Sequence, residues 1–127
     1  MQQNQLFEYA VIRIVPRVER EEFLNVGVIL YCARQQFLQT ISCLNQHRLA
    51  AFCVKTDKEE LLQHLDAMQR ICAGDREAGP IAKLDIAARF RWLTATRSTV
   101  IQTSKVHPGF CKNPGQTLEK LYKQLVC

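Results

Sequence analysis

Between residues 89 and 109 the chain reads RFRWLTATRSTVIQTSKVHPG. Arg89, Arg91, Arg97, Lys105 and His107 are interleaved there with Phe90 and Trp92. Cations set among aromatic faces suit phosphate contact combined with base stacking. Ser98, Thr99 and Ser104 add hydroxyl donors. A second arrangement fits the same residues: Phe90, Trp92 and Leu93 anchor a short helix, and the arginines face water with their stems over apolar surface. No RNP motif or zinc-finger spacing accompanies the stretch. The candidate binding set is therefore Arg89, Arg91, Trp92, Arg97, Ser98, Lys105 and His107.

Catalysis finds less support. Cys111 lies four residues after His107, with Ser98 nearby in sequence. A nucleophile needs a base within hydrogen-bond reach and a third group to orient it, and closeness along a Pro/Gly-rich stretch supplies neither. His47 and His64 read as surface residues. Asp57, Glu59, Glu60 and Asp66 suit the solvated side and capped start of a helix. There is no P-loop and no G-x-G-x-x-G. The six cysteines, Cys32, Cys43, Cys53, Cys72, Cys111 and Cys127, contain no C-x-x-C pair, and zinc sites bring ligands in close pairs. They read as reduced thiols, so no metal and no cofactor is expected, and no catalytic residue is named.

A third feature is structural. In FLNVGVILYC, residues 23–32, Asn25 and Gly27 interrupt an apolar run. Glycine inside a strand marks a bulge or a close approach by another segment. Simple alternation puts Asn25 and Gly27 on one face. The expectation is that Gly27 packs against a neighbouring segment while Asn25 hydrogen-bonds inside the fold, since buried polar groups need partners. A ligand pocket at this point is the other reading.

The elements that must position these residues follow from periodicity. Residues 6–15 are rich in β-branched types and run up to Pro16. Residues 23–32 are apolar on both faces, as an inner strand is; Leu24, Val26, Val28 and Leu30 fall on one side, and Phe23, Ile29 and Tyr31 on the other. Residues 36–44 alternate more weakly and make a third strand; 98–104 makes a later fourth. Thr56 and Glu59 form a capping box, after which Leu61, Leu65, Met68 and Cys72 recur at helical spacing up to Gly74. Residues 81–95 suggest one or two helical turns. HPGFCKNPG, residues 107–115, reads as loop. TLEKLYKQLVC closes the chain as an amphipathic helix. The expected fold is α+β in a single domain over residues 1–127: an antiparallel meander of three strands, a later fourth strand, and helices packed on one face.

Of the 127 residues, 47% are apolar, enough for a core without metal or disulfide. The net charge of +5 is uneven, since residues 80–127 hold eight basic and two acidic side chains, a net +6. That asymmetry suits either an anionic partner or a plain basic surface. No segment has the length of a membrane span, and the start of the chain lacks the pattern of a signal peptide. A cytoplasmic location away from membranes is expected.

Three blocks in order carry a family resemblance: YAVIRIVPRVEREEFLNVGVILY, GPIAKLDIAARFRWLTATRSTVIQTSKVHPG and TLEKLYKQLV. From about residue 9 to residue 126 the chain resembles the small bacterial proteins of unknown function grouped as DUF3037. The family's Arg and Pro on the first strand correspond to Arg13 and Pro16, and its Asn-Val-Gly to Asn25, Val26 and Gly27. Its later Trp-Leu, Arg-Ser and His-near-Gly correspond to Trp92, Leu93, Arg97, Ser98, His107 and Gly109. Where the family often has Gly-Glu-Phe, this chain has Glu21-Glu22-Phe23. The resemblance implies no established activity. It implies an accessory protein found beside kinases of the HipA-like toxin class, and so a kinase-like protein partner. Two function classes therefore stand side by side: a non-catalytic accessory protein, and a binder of nucleic acid or nucleotide phosphate through the basic C-terminal third. An enzyme of unknown reaction ranks third. The oligomeric state is not legible from the sequence.

Overall fold

The computed structural model of the chain describes residues 4–15, 23–51, 58–95 and 100–126. The two β-branched runs make the longest strands, β1 (Gln5–Ile14) and β2 (Leu24–Cys32). They pair antiparallel, and β3 (Phe37–Ser42) follows antiparallel on the far side of β2. The free edge of β1 is shared by two short strands. β4 (Ile101–Thr103) runs along Ile12–Ile14, and β5 (His107–Cys111) along Gln5–Tyr9. The sheet order is β3-β2-β1-β4, with β5 also on β1. The class is α+β, as the sequence indicated.

The fifth strand corrects the reading of residues 107–111 as loop. Pro108 has no N–H for a ladder, and sheets confine such residues to edges; β5 is an edge. Gly109 makes room for Phe7, because a Cβ there would lie 2.6 Å from the Phe7 ring. Ser104 carries the pairing across the gap between β4 and β5. Its N–H donates to the Val11 carbonyl at 2.8 Å, and its hydroxyl oxygen accepts from the Val11 N–H at 2.9 Å.

The β1–β2 ladder explains Asn-Val-Gly. Ile12 faces Gly27 and Arg13 faces Asn25, so Val26 is one residue too many. This is a β-bulge, and it changes the phase of the strand. Leu24 and Val26 join Ile29 and Tyr31 in one buried cluster, while Val28, Leu30 and Cys32 point into another. Simple alternation, which groups Leu24, Val26, Val28 and Leu30, is corrected here. A run apolar at every position hides such a slip.

Four α-helices complete the described residues. α1 (Gln46–Ala51), not anticipated, is started by Asn45, whose Oδ1 accepts from the His47 and Arg48 N–H groups. α2 (Lys58–Ala73) carries the expected stripe; Thr56, its expected cap, lies outside the described residues. α2 ends at Gly74, with φ 74°, whose N–H donates to Ile71 while that of Asp75 donates to Arg70. This is a Schellman closure. Two short 3₁₀ turns (Arg76–Ala78 and Pro80–Lys83) lead to α3 (Ile86–Leu93), capped by Asp85. α4 (Pro114–Leu125) begins earlier than Thr117, because Asn113 caps it and Pro114 occupies its first turn.

α2 and α3 pack on the face of the sheet that carries Ala10, Ile12, Ile14 and Ile29. α4 covers the opposite face through Leu118, Leu121 and Leu125, against Val28, Leu30 and Cys32. The helices thus lie on both faces rather than one, because an inner strand apolar on both sides must be covered twice. Among the described residues no helix is long and apolar enough to cross a membrane.

Candidate functional site

The cations around Trp92 have separate tasks. Arg89 Nη1 donates to the carbonyls of Ile71 and Cys72, each at 2.9 Å. These belong to the last turn of α2, where carbonyls lack helical partners and a cation meets the negative end of the helix. Arg91 reaches across to β1, with Nη2 2.7 Å from Glu8 Oε2 and 3.1 Å from Oε1. Its guanidinium also lies 5.3 Å from the Phe90 ring. Trp92 lines a cleft of about 150 Å³ between α2 and β4, with Met68, Ile71 and Thr103. Lys105 is exposed in the connection between β4 and β5. His107, exposed at the start of β5, sits 5.3 Å from the Tyr9 ring. Arg97 and Ser98 lie outside the described residues. The structure thus sets Arg89 and Arg91 on the α3 side of the sheet and His107 with Tyr9 on the α4 side.

Arg13, Asn25 and Gly27 come together at the bulge. Arg13 and Asn25 are register partners. The Arg13 guanidinium lies 4.0 Å over the Phe23 ring, a cation–π contact. Asn25 Nδ2 donates to the Leu125 carbonyl at 3.0 Å, and Arg48 Nη1 to the Val126 carbonyl at 2.7 Å. Together they hold the C-terminal end of α4. A Cβ on Gly27 would lie 2.7 Å from the Ile41 carbonyl oxygen and 2.8 Å from Ser42 Cβ, so β3 can approach only glycine this closely.

The surface with the character of a binding site lies where α3 meets the β5 edge. Leu6 and Phe110 oppose each other directly across β1 and β5, and they are 53% and 71% exposed. Beside them runs a groove of about 240 Å³ lined by Leu6, Glu8, Tyr31, Ala33, Ala87 and Arg91. The Arg91–Glu8 pair gives it a polar wall. Adjoining large apolar side chains left in water mark interaction sites. Sequence reasoning missed both anchors. Leu6 stands at the margin of its strand's β-branched run, and Phe110 falls in a stretch dense in Pro and Gly. Only the long-range register sets them side by side.

Cys111, the thiol nearest His107 in sequence, is buried, and that burial raises its pKa despite a hydrogen bond with Thr117. A raised thiol is a poor nucleophile. Among the described residues no cluster of His, Cys, Asp and Glu could hold a metal ion.

Residues 9–126 match the model of a family described as protein of unknown function, DUF3037. The chain belongs to this family. No curated protein and no solved structure matches it. The DUF3037 match takes in the bulge, α3 and Phe110, and it begins three residues after Leu6.

Proposed function

We infer that this DUF3037 protein is a non-catalytic accessory protein of the cytosol that works by holding a protein partner on the Leu6–Phe110 surface. The observation that carries this is the exposure of two large apolar side chains directly opposite each other on a sheet edge. Such a pair is costly to leave in water unless something covers it, and buried apolar anchors with a polar rim dominate protein interfaces. Pro108 on the same edge strand disfavours strand addition, so the partner is read through side chains. Family resemblance directs the search toward kinase-like proteins of the HipA-like toxin class.

The test is a pairwise binding measurement with the purified partner, first found by affinity capture from the native host. Leu6→Ser with Phe110→Ser should weaken the complex about tenfold or more without lowering the unfolding midpoint, since both side chains are exposed. Unchanged affinity in the folded double variant would remove this surface from the function.

A further inference from the structure

The α4-bearing face of the sheet is clothed unevenly. α4 packs mainly on β2 and β3 and covers β1 and β5 only at their Phe7–Cys111 end. Along β1 and β5 the same face carries a row of aromatic and cationic side chains. Strand alternation puts Tyr9, Val11 and Arg13 in one line. Val11 is buried and forms the floor; Tyr9 and Arg13 are half-exposed above it. His107 is the register partner of Tyr9, with ring centroids 5.3 Å apart. At the other end of the row Arg13 backs the Phe23 ring at 4.0 Å, and Phe23 is 45% exposed. Four residues of strand separate the two aromatic stations by about 13 Å. Exposed Lys105 lies two residues before His107. The one carboxylate of β1, Glu8, points to the opposite face, where Arg91 holds it.

We propose that this half-face binds single-stranded nucleic acid, with one base stacking at Tyr9–His107 and another on the Arg13-backed ring of Phe23. Strand-independent stacking platforms with cations along the backbone path are how proteins take up single strands, and open sheet faces with aromatic rings serve RNA in this way. The surface lies on the opposite side of the sheet from the Leu6–Phe110 anchors and is independent of them. Charge complementarity selects nucleic acid as the occupant: the row offers ring faces and the Arg13 cation, and exposed Lys105 stands two residues from His107 in the chain.

The experiment is fluorescence anisotropy with a labelled short oligouridine, the matching oligothymidine and a duplex of equal length, at about 50 and 200 mM salt. Two phosphate contacts predict a log–log salt slope of about −1.4 for the single strands. His107→Ala and Phe23→Ala should each weaken binding about fivefold or more with the slope unchanged. Arg13→Gln should make the slope shallower by about 0.7. Tyr9→Phe should bind as wild type, and Tyr9→Leu, which keeps the apolar bulk, should lose affinity. Phe110→Ser should change nothing. Circular dichroism confirms that each variant is folded. The proposal is overturned if folded wild type fails to bind either single strand at the lower salt, if duplex is preferred, or if His107→Ala and Phe23→Ala bind as tightly as wild type.

Discussion

Phe90 on α3 and Leu118 on α4 are both fully shielded from solvent, yet they close the two faces of the sheet differently. Phe90 stacks 5.1 Å from Tyr31 within a cluster of seventeen buried residues fed by four strands, two helices and a 3₁₀ turn. Leu118 anchors a cluster of seven, under a single helix that packs mainly on β2 and β3 and touches the Phe7–Cys111 end of β1 and β5. The bulge at Val26 contributes to this imbalance. By adding one residue it turns Leu24 and Val26 toward the larger core. It leaves Asn25 to meet the end of α4 through a hydrogen bond instead of apolar contact. The face that gains these apolar side chains holds the larger buried cluster, with Leu6 and Phe110 exposed only at its β5 margin, and the face that gives them up carries half-exposed Tyr9 and Arg13.

The strongest test of that imbalance is a pair of truncations. Phe90→Ala should lower unfolding stability by about 3–5 kcal/mol and Leu118→Ala by about 2–4 kcal/mol, since the cost rises with the cavity left and the larger core collapses less readily around it. Denaturant midpoints at constant slope measure both. Equal losses, or a larger loss from Leu118→Ala, would break the contrast between a dominant face and a secondary one.

Gly27→Val tests the bulge itself. The atoms its side chain would strike belong to Ile41 and Ser42 close to the backbone of β3, and they cannot swing aside. A loss of about 1–3 kcal/mol is expected from overpacking, read again as a shift in midpoint. An unchanged midpoint would mean that β2 and β3 separate more easily than their register suggests. This position also shows what was legible in the sequence. Asn and Gly inside an apolar run signalled a departure from regular strand, and β1, β2, α2 and α4 were visible from β-branched runs and helical stripes. The phase slip was not visible, because Leu24 to Cys32 is apolar at nearly every position and offers no alternation to read. β5 was hidden by Pro108 and Gly109, whose presence is explained only by an edge position and by the Phe7 ring. The role of Arg89 was hidden for a related reason. A guanidinium in a basic stretch looks the same whether it meets a phosphate or the last carbonyls of a helix seventeen residues away.

The smallest effects at neutral pH, and the finest probe of the two faces, come from the thiols. Cys72 lies in the larger core, and burial pushes its pKa up to about 12, with Arg89 pulling it slightly back. Cys111 lies under α4 and is raised by burial as well. A raised thiol pKa means that the fold holds the proton more tightly than the unfolded chain does. The stability it contributes is therefore complete below the unfolded pKa near 9 and is lost as the pH climbs toward about 12. The unfolding midpoint should fall across that window, and less so in Cys72→Val. At neutral pH the same contrast should appear as an order of alkylation followed by mass measurement. Exposed Cys43 reacts first. Cys32 and Cys111 follow, through opening of the single helix above them, and Cys72 reacts only with global unfolding. Cys53 and Cys127 lie outside the described residues, and replacing both with Ser keeps them from blurring the order. Labelling of Cys72 as early as Cys111 would show that the two faces open together, and that the sheet has one cooperative core instead of two of unequal strength.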